Sequence, residues 1–151
     1  MNISPLGRKG LSHKRPTNLH KFLYGCAYYP EHWDEDIIRK DPKLMRDAGI
    51  NVVRMGEFAW ALMEPKEGEY EFGFFDSVIE NLGKEGIMTI LCSPTATPPR
   101  WLTMKHPEIL RTNAEGISMG HGSRQHCCHS NMVFRQYSQG ITRAMSEHFA
   151  K

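Results

Sequence analysis

At 151 residues, with 40% hydrophobic and 24% charged side chains, the chain has room for one globular domain and not for two ordinary ones. Its formal net charge of +2 is unevenly spread: residues 1–21 carry five Lys or Arg and no acid, whereas the rest carries 14 basic against 17 acidic residues. An acidic remainder argues against a nucleic-acid-binding domain, and no apolar run approaches the roughly 18 residues that a membrane helix needs.

The opening stretch, MNISPLGRKGLSHKRPTNLHK, has no apolar core of the kind a secretory signal carries. It reads as a basic, disordered leader over residues 1–21, ahead of a domain covering 22–151. Four cysteines, Cys26, Cys92, Cys127 and Cys128, do not look like a disulfide framework. With no signal peptide they are expected to be free thiols in a reducing cytoplasm.

Phe22 to Tyr29 is apolar and aromatic and ends at Pro30-Glu31-His32-Trp33, so the pattern predicts a first strand followed by a loop. Asp34 can cap a short helical turn to Arg39. Asp41 can cap a second helix with Pro42 at its first position, Leu44, Met45 and Ala48 as inner face, and Gly49 as its end. Asn51 to Met55 is short and β-branched, a second strand. Phe75, Val78, Ile79 and Leu82 fall at helical spacing within Phe74 to Lys84, and Ile87 to Leu91 reads as a third strand. Ser93 to Asn131 reads as one long irregular segment containing a turn at Asn113 to Gly116. A last helix is expected from Met132 to Phe149, capped by Asn131, with Tyr137, Ile141, Met145 and Phe149 on its inner stripe.

Strand and helix alternate three times at a strand spacing of roughly 30 residues, which predicts an α/β fold of successive βα units on a parallel sheet. In such folds the loops after the strands hold the chemistry. The loop after the second strand holds Glu57 and Trp60. A carboxylate bonds hydroxyls and an indole covers the apolar face of a sugar ring, so both are candidate carbohydrate-binding residues. The bland alternative is that Glu57 pairs with Arg54 or Arg100 and that Phe58 and Trp60 are core.

Six stretches then carry a resemblance. Tyr28-Tyr29-Pro30-Glu31-His32-Trp33, Asp47 to Arg54, Gly56-Glu57-Phe58-Ala59-Trp60, Glu64-Pro65 with Glu67-Gly68, Thr95 to Leu102 and Gly122-Ser123-Arg124-Gln125-His126 resemble, in order, the start of a glycoside hydrolase family 42 β-galactosidase. The resemblance implies a partial TIM (β/α)8 barrel made of its first three βα units. It also implies hydrolysis of terminal β-D-galactosides with retention, which needs two carboxyl groups about 5–5.5 Å apart. In the family those two glutamates lie on the fourth and seventh strands, beyond Lys151, so no acid of this chain inherits a catalytic role.

Two positions carry over from the family. Arg124 matches the arginine that binds the galactosyl unit, where a fixed fork of donors suits adjacent hydroxyls. Cys128 matches the first of four zinc cysteines in members that hold a structural zinc; the other three lie beyond Lys151, and a lone thiolate does not make a tetrahedral site. Cys127 and His129 depart from the tyrosine and proline usual there. No cofactor is required by the implied reaction, the partner is a small galactoside, and the full-length form is expected to be a homo-oligomer, a trimer as in relatives. Two rival readings stand beside this one: a non-catalytic carbohydrate-binding protein that reuses the front of the barrel, and a small metal or thiol-redox module on His126-Cys127-Cys128-His129.

Overall fold

The computed structural model describes residues 22–122 and 124–150; the basic leader expected over 1–21 lies outside the described residues. Three short strands, β1 (Gly25–Ala27), β2 (Val52–Met55) and β3 (Met88–Leu91), form one parallel sheet in chain order. Gly25 stands opposite Val52, and Val52 opposite Met88. Side chains alternate across the sheet. Val53 and Met55 are buried on the helix-covered face, while Arg54, Met88 and Ile90 stand exposed on the other.

The first strand is shorter than the eight residues its apolar run suggested. Before Gly25 one backbone bond remains, Asn51 N to Tyr24 O, and the Asn51 side chain takes over from the ladder: its carbonyl accepts from the Tyr24 amide and its amide donates to the Phe22 carbonyl. After Ala27 the ladder gives one more bond, Tyr28 N to Arg54 O, before Pro30 starts a 3-10 turn over Pro30–His32. Gly25 itself is required by space, since a Cβ there would lie 1.8 Å from the Val52 carbonyl oxygen.

The expected pair of helical turns after β1 is a single helix, α1 (Glu35–Asp47), with Pro42 inside it. Asp34 caps it by accepting from the Ile37 amide. An interior proline costs about 3 kcal/mol in a free helix. Here Pro42 is buried and falls four residues after Ile38 and three before Met45, both packed against the core. Burial of that stripe outweighs the lost hydrogen bond. Leu44 and Ala48, expected on the inner face, are exposed instead.

A short helix α2 (Trp60–Met63) follows β2, and α3 (Gly73–Lys84) buries Phe75, Val78 and Leu82 at the expected spacing. Ser93 to Asn131 is more ordered than its composition suggested. It holds α4 (Arg100–Lys105), which Pro99 precedes, and a 3-10 turn over Pro107–Ile109. Leu110 and Cys127 form an antiparallel bridge, and Thr112 with Ser118 another around the turn at Asn113. The last helix, α5 (Met132–Phe149), has its cap at Asn131, which accepts from the Phe134 amide, and buries Phe134, Ile141 and Met145.

Glu64 is a buried carboxylate that ties this core together. It accepts from the Trp60 indole N–H at 2.7 Å and the Gly68 amide at 2.9 Å, and its backbone carbonyl accepts from the Trp101 indole at 2.9 Å. Replacing Glu64 by Ala leaves the Trp60 donor buried without an acceptor, so the folded state should lose about 1–3 kcal/mol. The measurement is a lower denaturant midpoint at unchanged slope; an unmoved midpoint would show that the indole finds another acceptor.

Farther out, Glu67 accepts from Lys105 and from the Tyr137 hydroxyl, joining the loop after α2 to α4 and α5. Lys105 first, and Tyr137 second, hold the Glu67 carboxyl below its ordinary value of 4.5. A folded-state value below the unfolded one means that this contribution is complete above pH 4.5. It is lost as the pH falls from there through the folded-state value. The thermal midpoint should therefore fall more steeply with acid below pH 4.5 than in a Glu67→Gln variant; parallel acid profiles would show that the network contributes nothing.

Candidate functional site

The carboxyl end of β2 gathers the polar groups. Gly56, at φ +90, turns the chain out of the strand; a Cβ there would meet Leu91 at 3.0 Å and Met63 at 3.2 Å. Glu57 follows and is only 9% exposed. Its Oε1 accepts from the Tyr29 hydroxyl at 3.0 Å and pairs with Arg54 Nη2 at 2.7 Å. Its Oε2 is buried without a hydrogen-bond partner among the described residues. The expected Arg54 pairing is therefore present, yet it uses only one of the two oxygens. The other remains an acceptor.

Sheet register explains the partners. Ala27 stands opposite Arg54, so Tyr29, two residues beyond Ala27, reaches Glu57, three beyond Arg54. Desolvation first and the Glu57 hydrogen bond second push the Tyr29 phenol up, which keeps it a donor. Burial and then the Glu57 charge likewise push the Cys92 thiol up. Arg54 is thus the cation paired with this carboxylate, while Tyr29 and Cys92 beside it stay neutral.

Arg124 comes from the far end of the long segment. Its guanidinium carbon lies over the Phe58 ring, 5.0 Å from the centroid. A cation so placed on an aromatic face is attracted by the ring quadrupole. Phe58 in turn lies 5.8 Å from the Tyr29 ring, and its carbonyl accepts from Thr97 Oγ1 at 2.9 Å. Gln125, next to Arg124, has φ 56, a left-handed conformation uncommon outside glycine. Nearby, His121 Nε2 bonds Thr103 Oγ1 at 2.7 Å and its ring lies 4.8 Å from that of His126, which fastens this segment to α4. Burial, then His126 and Arg100, hold the His121 imidazole below its ordinary value, so it stays neutral near pH 7.

The structure brings Glu57 and Arg124 to one place through Phe58 and Tyr29. It does not bring Trp60 there. That indole is fully buried, 6.3 Å from the Phe134 ring, with its N–H on Glu64, and no sugar face can reach it. The loop after a strand turns inward as soon as α2 begins, which the sequence does not announce.

His126-Cys127-Cys128-His129 forms a short pairing with the segment at Ile109 rather than a cluster. Arg111 N donates to the His126 carbonyl and Cys128 N to the Ile109 carbonyl, both at 2.8 Å. Burial, then Cys128, pushes the Cys127 thiol up to about 11, the opposite of a metal-binding or redox-active thiolate. Among the described residues no three His, Cys, Asp or Glu side chains are placed to hold a metal ion. Cys128 alone does not fit a zinc site.

Parallel βα units with a carboxylate, two guanidiniums and aromatic faces at their carboxyl ends define an α/β-barrel protein with its site at the strand ends. The family model described as β-galactosidase, glycoside hydrolase family 42, matches residues 27–151. The chain belongs to that family. It is 47% identical over 133 residues to a β-galactosidase of Bacillus subtilis, covering 88% of this chain and 20% of that one. With a β-galactosidase of Thermus thermophilus it shares 43% over 127 residues, 84% of this chain and 20% of the relative.

Solved structures agree. The β-galactosidase of the psychrophilic Marinomonas ef1 superposes with a TM-score of 0.80 at 37% identity, over 85% of this chain and 20% of that one. That of Bacillus circulans sp. alkalophilus gives 0.82 at 32%, over 87% and 19%. The described sheet is the first part of a TIM barrel, and the chain spans about one fifth of the length of these relatives. No described helix is long and apolar enough to cross a membrane.

Proposed function

We propose that these residues form the galactosyl-binding side of a retaining β-galactosidase, with Arg124 donating to sugar hydroxyls and the free oxygen of Glu57 accepting from one. The observation that carries this reading is the half-used Glu57 carboxylate: Oε1 is held by Tyr29 and Arg54, and Oε2 is buried with no partner among the described residues. A buried acceptor without a donor costs free energy that a bound hydroxyl would recover. Tyr29 and Arg54 orient the carboxylate; they do no bond chemistry. The acid/base and nucleophile roles belong to glutamates of later strands, as the family resemblance implies, and the reaction calls on no cofactor. Zinc, where the longer protein takes it up, would draw one ligand from Cys128 and the rest from elsewhere. A reducing cytoplasm suits the four free cysteines, and homo-oligomers, trimers as in relatives, are the expected assembly.

The test is a hybrid in which this chain replaces the matching first fifth of the Bacillus subtilis relative. The hybrid should hydrolyse a nitrophenyl β-galactoside with retained anomeric configuration. A hybrid that folds and assembles but neither binds galactose nor turns over would contradict the reading.

A further inference from the structure

Sugar sites pair polar groups with an aromatic face, and Trp60 is not that face. The chain has three tryptophans. Trp101, like Trp60, is committed to the core: it is half-buried, its N–H is on the Glu64 carbonyl, and its ring stands edge-on to Tyr137 at 5.8 Å. The third, Trp33, is 54% exposed.

The Trp33 backbone is held in the turn that follows β1, at the same strand ends as the site. The Trp33 amide donates to the Pro30 carbonyl, and the His32 amide to the Tyr29 carbonyl, both at 3.1 Å, which winds the loop after β1 into one rigid turn. The His32 ring stacks on Tyr29 at 5.9 Å and 29°, and the Tyr29 hydroxyl is on Glu57. Trp33 therefore directly follows a side-chain stack, His32 on Tyr29, that ends at the half-used Glu57 carboxylate. Other exposed aromatics do not compete. Phe22 and Tyr24 precede β1, at the amino end of the sheet, and Tyr70 lies flat on Phe72. Phe58 has one face under Arg124. Among the described residues, Trp33 is the largely exposed tryptophan at the carboxyl ends of the strands.

We infer that Trp33 forms the aglycone half of the site, its indole stacking on the apolar face of the sugar joined to the galactosyl unit. The inference rests on the galactosyl reading of Arg124 and Glu57 and extends it to a second sugar ring. A scattered surface tryptophan needs no ligand; this one follows a wound turn whose Tyr29 holds the Glu57 carboxylate, so its backbone is already ordered before a sugar arrives.

Two measurements test it. In the chain itself, Trp60 is fully buried and Trp101 half-buried, so the emission that acrylamide quenches most readily belongs to Trp33 and should fall sharply in Trp33→Phe. A β-linked galactosyl disaccharide should protect that emission, and galactose should not. In the hybrid, Trp33→Ala should lower kcat/KM for the disaccharide roughly three- to ten-fold and leave the inhibition constant of galactose unchanged, with Trp33→Phe retaining most of the rate. Equal losses on galactose and disaccharide, a lowered Tm with unchanged kinetics, or no protection by the disaccharide would each overturn the assignment. Arg124→Ala, read by galactose inhibition, judges the galactosyl reading separately: an unchanged constant there removes the first sugar from the account whatever Trp33 does.

Discussion

The 151-residue chain, purified by itself, should hydrolyse a nitrophenyl β-galactoside no faster than its Glu57→Ala variant does. Retention needs two carboxyl groups about 5–5.5 Å apart, one attacking the anomeric carbon and one moving a proton. The buried carboxylate at these strand ends has one oxygen engaged by Tyr29 and Arg54, the arrangement of a group held still to accept a hydroxyl. Proton transfer by a positioned acid or base contributes roughly 10²- to 10⁴-fold, and the nucleophile adds its own share. Removing both should take the rate below detection. Turnover that Glu57→Ala abolishes would make Glu57 a catalytic residue and the assignment of its role wrong.

Arg124 carries the second large effect. In the hybrid enzyme, Arg124→Ala should lower kcat/KM roughly ten- to two-hundred-fold, the equivalent of losing one charged hydrogen bond of about 1.5–3 kcal/mol. The guanidinium lies on Phe58, so its plane is set before any sugar arrives, and part of its ordering cost is met in the free protein. Arg124→Lys should recover little, because an ammonium neither stacks on the ring in the same way nor presents a planar fork. If Arg124→Ala keeps its kcat/KM and only melts earlier, the cation–π contact is structural and the galactosyl assignment fails.

The fold was largely legible because its signals are local. Val53 and Met55 against Arg54 show the period of a strand, Phe75, Val78 and Leu82 that of a helix, and Asn131 caps α5 where a cap was expected. Pro42 misled because its cost is local, while the burial that offsets it comes from Ile38 and Met45 packing on the core. The ordered pairing of Leu110 with Cys127 was invisible for a related reason: the sixteen residues 111–126 separate two partners that show no periodicity.

The site was legible only in part. Arg124 was nominated through a family motif rather than through any physical signal in its neighbours, and the structure sets it over Phe58. Glu57 was nominated from its place after a β-branched strand. Tyr29 and Arg54, which hold Glu57, are defined by sheet register, and register is a property of the assembled strands. Trp60 was nominated for a sugar face because sequence does not carry the one fact that decides it: Trp60 is fully buried, whereas Trp33 is solvent-exposed.

A crystal structure of the hybrid with galactose bound tests the central claim most directly. The account predicts the sugar at the carboxyl ends of β1 and β2, with an Arg124 nitrogen and Glu57 Oε2 each roughly 2.7–3.2 Å from a sugar hydroxyl. Galactose bound elsewhere in the barrel, with Arg124 still resting on Phe58 and Glu57 Oε2 still without a partner, would contradict it.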